Sequence, residues 1–272
     1  MEQANAPVGI FDSGLGGLTV AREVMRQIPD ERIVYFGDTA RVPYGSKSKD
    51  TIRRYSEQII RFLYTKDVKA IVVACNTASA YALEEIRDNV KVPIIGVVRP
   101  GARTAAQNTR NKKIGVIGTE GTVRSDLYKR YIQSLDPKAE VFQKACPLLC
   151  PLVEEGWWHD EITTNVVKRY LKGLTAAGID TLILGCTHYP LIRSTIRQVV
   201  GERVTLINPA YETAVELKKL LESGGILAPP SPASPDKYRF YVSDDPEKFD
   251  AFASSVLEFS VSPAEKVRIE EY

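Results

Sequence analysis

The chain is poor in the residues that build metal centres and disulfide scaffolds. It has four cysteines (Cys75, Cys146, Cys150 and Cys186) and two histidines in 272 residues. So few cysteines in so long a chain exclude the disulfide framework of a small secreted domain. Cys146 and Cys150 lie four apart, a loosely metal-like spacing, but a proline follows each and no second cysteine pair occurs. A structural zinc site wants four clustered ligands, so no metal is expected. No apolar run approaches the ~20 residues that span a bilayer, and residues 1–7 lack the basic and apolar regions of a secretory signal. A cytoplasmic chain with no membrane partner is therefore expected. Excess charge of one sign is missing too: 36 basic residues against 34 acidic ones give a net +2. With no run of five like charges, nothing favours a nucleic-acid partner.

What the chain has is ordinary globular composition, 44% hydrophobic and 26% charged, enough for a sizeable core in one large or two ordinary domains. Short apolar runs at 8–11, 33–36, 70–74, 93–98, 114–117, 181–184 and 204–207 are rich in β-branched residues and bounded by turn formers. Continuous rather than alternating apolarity predicts strands covered on both faces. Between them lie helical patterns: Leu18, Ala21, Val24 and Ile28 share one face, as do Ile52, Tyr55, Ile59 and Phe62 behind a Ser48 cap. Alternating strand and helix predicts an α/β fold with mostly parallel sheet. Residues 224–236, rich in proline, serine and glycine, read as an irregular connection. Tyr238–Val242 then reads as an edge strand and 247–257 as a final helix.

The order of segments repeats. Val8-Gly9-Ile10-Phe11 is echoed by Ile114-Gly115-Val116-Ile117, and Ile71-Val72-Val73-Ala74-Cys75 by Leu182-Ile183-Leu184-Gly185-Cys186. Pro43-Tyr44-Gly45 has a looser echo around Cys150-Pro151 and Glu155-Gly156. The period is too long for a solenoid. It predicts two similar α/β domains, residues 1–98 plus 208–272 and residues 99–207, with parallel sheets related by pseudo-two-fold symmetry.

Open α/β sheets bind ligands beyond the carboxyl ends of their strands. Asp12-Ser13-Gly14-Leu15-Gly16-Gly17, Asp38, Cys75-Asn76-Thr77, Thr119, Thr122 and Cys186-Thr187-His188 fall there. The glycine run is G-x-G-G rather than a full dinucleotide fingerprint, which speaks against a nucleotide-binding module. Cys75 and Cys186 hold equivalent positions, each after a strand and before a helix, where amide donors lower a thiol's pKa. A lone free cysteine is most often a small buried hydrophobe; two duplicated in place, each followed by polar residues, are not. Racemisation needs a base on one face of a carbon and an acid on the other, and two facing copies of one domain offer that pair.

Phe11-Asp12-Ser13-Gly14-Leu15-Gly16-Gly17, Pro43-Tyr44-Gly45, Ala74-Cys75-Asn76-Thr77-Ala78-Ser79 and Gly185-Cys186-Thr187-His188-Tyr189-Pro190 together resemble the glutamate racemase family, within the aspartate/glutamate racemase superfamily. The resemblance runs from about residue 8 to about residue 208. It implies two flavodoxin-like domains with substrate buried in the cleft between them, no cofactor, and a homodimer. It implies that Cys75 deprotonates D-glutamate and Cys186 L-glutamate, assisted by Asp12, His188 and the acid at Glu154, with the adjacent Glu155 as the alternative. It implies substrate contacts from Asp12, Ser13, Tyr44, Gly45, Asn76, Thr77, Thr119, Thr122, Thr187 and His188, and a role in supplying D-glutamate for peptidoglycan. Cys150 departs from the family's apolar residue at that point, and Arg99 from its usual acid. The alternatives are a racemase of aspartate or another amino acid, and, in other classes, a two-domain binding protein or a nucleotide-binding module.

Overall fold

The computed structural model describes residues 2–230, 237–257 and 262–272. Ten strands lie in two sheets, each pairing parallel among the described residues: β1 (Val8–Asp12), β2 (Ile33–Gly37), β3 (Ala70–Val73), β4 (Ile94–Gly96), β5 (Lys113–Gly118), β6 (Glu140–Ala145), β7 (Thr181–Gly185), β8 (Thr205–Ile207), β9 (Tyr238–Val242) and β10 (Glu265–Lys266). The first sheet runs β10-β9-β2-β1-β3-β4 and the second β6-β5-β7-β8. The order β2-β1-β3-β4 is thus repeated as β6-β5-β7-β8, so β1 corresponds to β5 and β3 to β7. Both sheets reverse their winding at the same place, between β1 and β3 and between β5 and β7.

Strands 1, 2, 3 and 7 are buried along their whole length, because helices cover both faces. Ser48 caps the helix Lys49–Tyr64 by accepting from the Thr51 N–H at 3.3 Å, and the helix buries Ile52, Ile59, Phe62 and Leu63; Tyr55, expected on the same face, is half-buried. The helix Leu18–Gln27 buries Leu18, Ala21 and Val24, with Ile28 at its end.

The sequence-based bounds needed three corrections. The run 93–98 yields only Ile94–Gly96, because Val97 already begins the turn into the helix Val98–Asn108. The strands β6 and β10 were not foreseen. Tyr238–Val242 is not the edge: it pairs with β2 on one side and β10 on the other. Residues 225–230 have no regular structure, while 231–236 lie outside the described residues. The final helix is Pro246–Val256, capped by Asp245. Its Phe249 packs 5.6 Å from Tyr35 and 5.8 Å from Phe240, ring centre to ring centre. Burying such a ring contributes roughly 1.5–3 kcal/mol, and here it holds the C-terminal segment on the first sheet. No helix is long and apolar enough to cross a membrane among the described residues. Arg99 pairs with Glu84 at 2.8 Å on the surface.

Asp180, just before β7, ties the amino ends of the second sheet together. Its carboxylate accepts from the N–H groups of Arg110 (2.6 Å) and Asn111 (2.7 Å) and from the hydroxyls of Thr109 (2.7 Å) and Thr181 (2.8 Å). Partial burial pushes its pKa up, but these hydrogen bonds outweigh burial and hold it below the usual carboxylate value. A depressed folded pKa gives stability that is present above the unfolded value of about 4 and is lost as pH falls through the folded one. Asp180→Asn is expected to cost about 1–2 kcal/mol at neutral pH and to flatten part of the acid limb below about pH 4. Urea unfolding at neutral and acid pH measures both; an unchanged acid limb would remove Asp180 from that role.

Candidate active site

Four of the site side chains stand at or just beyond the carboxyl end of a strand. Asp12 ends β1, Cys75 follows β3, Thr119 follows β5 and Cys186 follows β7. The two cysteines therefore stand at the switch points of the two sheets, and each is 5% exposed.

Cys75 begins the short helix Asn76–Tyr81, and its Sγ accepts from the Ala78 N–H at 3.5 Å. Burial and the Asp12 carboxylate push its pKa up to about 12, against donation from Ala78 and from the Ser13 hydroxyl. A charge on Cys186 raises it further. Cys186 is also pushed up, by the neighbouring Cys150 thiol at 3.4 Å and by burial, while His188 opposes both. The His188 Nδ1 lies 3.7 Å from Cys186 Sγ, and its Nε2 lies 3.1 Å from Glu154 Oε1. Burial lowers the imidazole's pKa, but these partners raise it to about 10. Cys186 is the larger of the two raising partners and Glu154 the second. Of the adjacent acids, Glu154 faces the histidine and Glu155 is exposed.

Asp12 is fully buried. One oxygen accepts from the Gly14 N–H at 3.0 Å, and the other has no hydrogen-bond partner among the described residues. Burial raises its pKa against the pull of His188 and the loop amides. A buried acceptor left open is costly unless something fills it.

Across the junction of the sheets, three hydroxyls meet. Thr77 Oγ1 lies 2.8 Å from Thr119 Oγ1, which lies 3.1 Å from Thr122 Oγ1. Glycines let the two halves close on this spot. A Cβ at Gly45 would stand 2.7 Å from Thr119 Cβ, and one at Gly16 would stand 2.4 Å from Thr187 Oγ1 and 2.5 Å from His188 Nδ1. Thr187 is tied to the first half through its carbonyl, which accepts from the Thr19 hydroxyl at 2.8 Å.

Asn76, Thr77, Thr119, Thr122, Thr187, His188, Asp12, Ser13 and the two cysteines thus gather at one junction. Tyr44 is nearby but committed: its buried hydroxyl donates to Asp38, which also accepts from Arg41 and Ser243. Three supporting residues escaped the sequence reading. Tyr128 donates to Asn76 Oδ1 at 2.7 Å, Tyr35 donates to the Gly14 carbonyl at 2.9 Å, and Tyr189 donates to the Cys146 carbonyl at 2.9 Å. Each is a buried aromatic with one polar tip, whose partner only the fold reveals.

The Asp/Glu/Hydantoin racemase family model matches residues 18–217. A glutamate racemase of Geobacter metallireducens is 50% identical over 242 residues, 89% of each chain. The crystal structure of a glutamate racemase isoform from Bacillus anthracis superposes with a TM-score of 0.93 at 42% identity, covering 97% of this chain and 98% of that one. That of glutamate racemase from Francisella tularensis in complex with D-glutamate gives a TM-score of 0.91 at 37% identity, covering 99% and 100%. With parallel sheets wound alike and a thiol at the switch point of each, the chain belongs to the Asp/Glu/Hydantoin racemase family.

Proposed function

We propose that this chain interconverts L- and D-glutamate without a cofactor, with Cys75 and Cys186 as the two proton-transfer groups on opposite faces of the α-carbon. The observation that carries the reading is the duplication: one buried thiol at the same point of each sheet. We divide the chain accordingly into 1–98 plus 208–272 and 99–207, with the substrate between them. One cysteine, as thiolate, takes the α-proton. The S–H bond forms as the C–H bond breaks, and the other thiol gives its proton to the opposite face. The two thiols have exchanged protonation states at the end, so each direction starts from the state the other leaves.

The surroundings support this chemistry. Burial pushes both thiols up, so a thiolate needs a nearby cation. His188, paired with Glu154, serves Cys186, and the substrate's own ammonium serves the pair. The open Asp12 oxygen suits that ammonium. The hydroxyls of Thr77, Thr119 and Thr122, with the Asn76 and Thr187 groups, suit the carboxylates. Tyr44 and Gly45 would contribute backbone groups, since the Tyr44 hydroxyl is already bound. A neutral cradle leaves the thiolate as the mobile charge. We assign the product D-glutamate to peptidoglycan synthesis.

The test is circular dichroism of L- or D-glutamate, and separately of aspartate, incubated with protein dialysed against chelator. The expected result is decay of the glutamate signal to zero from either isomer with no added pyridoxal phosphate, flavin, nucleotide or metal. Activity that returns only on adding metal, or that acts on aspartate alone, would overturn the reading.

A further inference from the structure

The sequence spacing sets Cys146 beside Cys150, but the fold separates their roles. Cys146 points its thiol back to the Lys144 carbonyl at 3.5 Å. Cys150, at the start of the helix Leu149–Glu154, instead meets Cys186 with 3.4 Å between sulfurs. Cys186 Sγ is in turn 3.7 Å from His188 Nδ1, and the three ligand atoms all lie within 4.8 Å of one another. From tetrahedral angles and bond lengths of about 2.3 Å to sulfur and about 2.0 Å to nitrogen, two thiolates on one zinc ion stand about 3.8 Å apart. A thiolate and an imidazole nitrogen stand about 3.5 Å apart. The two distances from Cys186 need to change by only a few tenths of an ångström, while the Cys150–His188 pair, within 4.8 Å, closes further as the ion draws the side chains in.

The other side of the imidazole completes the pattern. A metal-bound histidine usually donates its second N–H to a carboxylate, which fixes the tautomer. His188 does this already: with Nδ1 turned to the sulfurs, Nε2 lies 3.1 Å from Glu154 Oε1. We propose that Cys150, Cys186 and His188 form a site for a thiophilic divalent cation of the zinc class, and that its occupancy switches the enzyme off. Two soft sulfurs and one imidazole select zinc-like ions over magnesium or calcium, which want oxygen. On binding, the two thiols and the imidazolium give up their protons and the ion takes their electron pairs. Cys186 then has no proton to give, and its sulfur, with its charge shared with the ion, is too weak a base to take the α-proton. Inhibition rests on the two-thiol reading above; binding does not.

The test uses the full chain with a phosphine reductant, so that no disulfide can form. Cobalt(II), added to substrate-free protein, is expected to give the thiolate-to-cobalt charge-transfer absorption at one ion per chain. Zinc should displace it. Zinc should also inhibit racemisation, and excess chelator should restore it. Outer-shell changes alone cost ~10–100-fold in metal affinity, so removing a ligand by Cys150→Val or Cys150→Ser should weaken both readouts by on the order of 100-fold. Racemisation without zinc should persist in these variants, since Cys150 moves no proton. Equal cobalt absorption or equal zinc sensitivity in both folded variants overturns the site. So does a zinc-induced loss of activity that chelator does not reverse. A charge-transfer band in a protein that does not racemise glutamate would leave the metal site standing and sink the functional reading instead.

Discussion

Cys75→Ser and Cys186→Ser are each expected to abolish racemisation while sparing opposite halves of the reaction. A serine hydroxyl is far less acidic than a thiol, so each substitution removes one acid–base group and leaves the shape of the site nearly intact. Positioned proton transfer is worth roughly 10²–10⁴-fold, and racemisation needs both groups, so each single variant should lose at least that much. Elimination from a glutamate analogue with a good β-leaving group needs chiefly one base. With Cys186 taking the proton from the L-isomer, Cys75→Ser should keep elimination from the L-isomer and lose it from the D-isomer. Cys186→Ser should do the reverse. Both variants should bind glutamate and unfold at temperatures close to that of the parent, because a single sulfur is replaced by oxygen at a strand end. Equal loss on both isomers, with lowered thermal stability, would mark the cysteines as packing residues and end the two-base assignment.

The parts of this site that can be read from the sequence are those whose local chemistry is unusual by itself. Strands β1, β3 and β7 are covered on both faces, so each is a continuous apolar run, and the polar residue at its carboxyl end stands out as Asp12, Cys75 or Cys186. Among the described residues the strand β6 is an edge strand bonded only to β5. Its residues Glu140-Val141-Phe142-Gln143-Lys144-Ala145 are half-exposed, so the apolar run that betrays its neighbours is missing. Two-residue β10 exists only because β9 offers it a partner. The choice between Glu154 and Glu155 turns on helix phase, about 100° per residue, which sequence adjacency cannot resolve. Tyr128 looks like any core aromatic of the helix Leu127–Leu135 until Asn76 is found against its hydroxyl. Cys150 is the sharpest case: its meaning lies in a sulfur 36 positions away, brought near by the packing of one half's helix on its own strand end.

Lys69→Met is expected to destabilise the fold by about 3–5 kcal/mol while leaving turnover of the surviving folded enzyme unchanged. Lys69 precedes β3 at the amino end of the first sheet, the edge away from the thiols, and its side chain is 0% exposed. Its ammonium donates to the carbonyls of Ala4 (2.6 Å) and Ile226 (2.8 Å) and lies 2.6 Å from Glu31 Oε2. That last contact is charge against charge without hydrogen-bond alignment, while Glu31 Oε1 accepts from the Ala228 N–H at 2.8 Å. One cation thus clasps the N-terminal segment, the approach to β2 and the chain following the helix Pro209–Ser223. Removing one member of a buried ion pair strands the other charge without water, at about 3–5 kcal/mol, a large share of the ~5–15 kcal/mol that holds a domain together. Replacing both charges, as in the double variant Lys69→Met with Glu31→Leu, removes the stranded charge. It should recover most of the loss, short of about 1 kcal/mol for each carbonyl still lacking its donor and for the Ala228 N–H that loses Glu31. The coupling between the two sites, read from urea unfolding of the four proteins, should exceed ~2 kcal/mol, above the ~0.5 kcal/mol scatter of independent sites. Near-additive losses would show that Lys69 acts through its carbonyl contacts alone. A fall in kcat measured well below the unfolding transition would show that this clasp is coupled to the site at the far end of the strands.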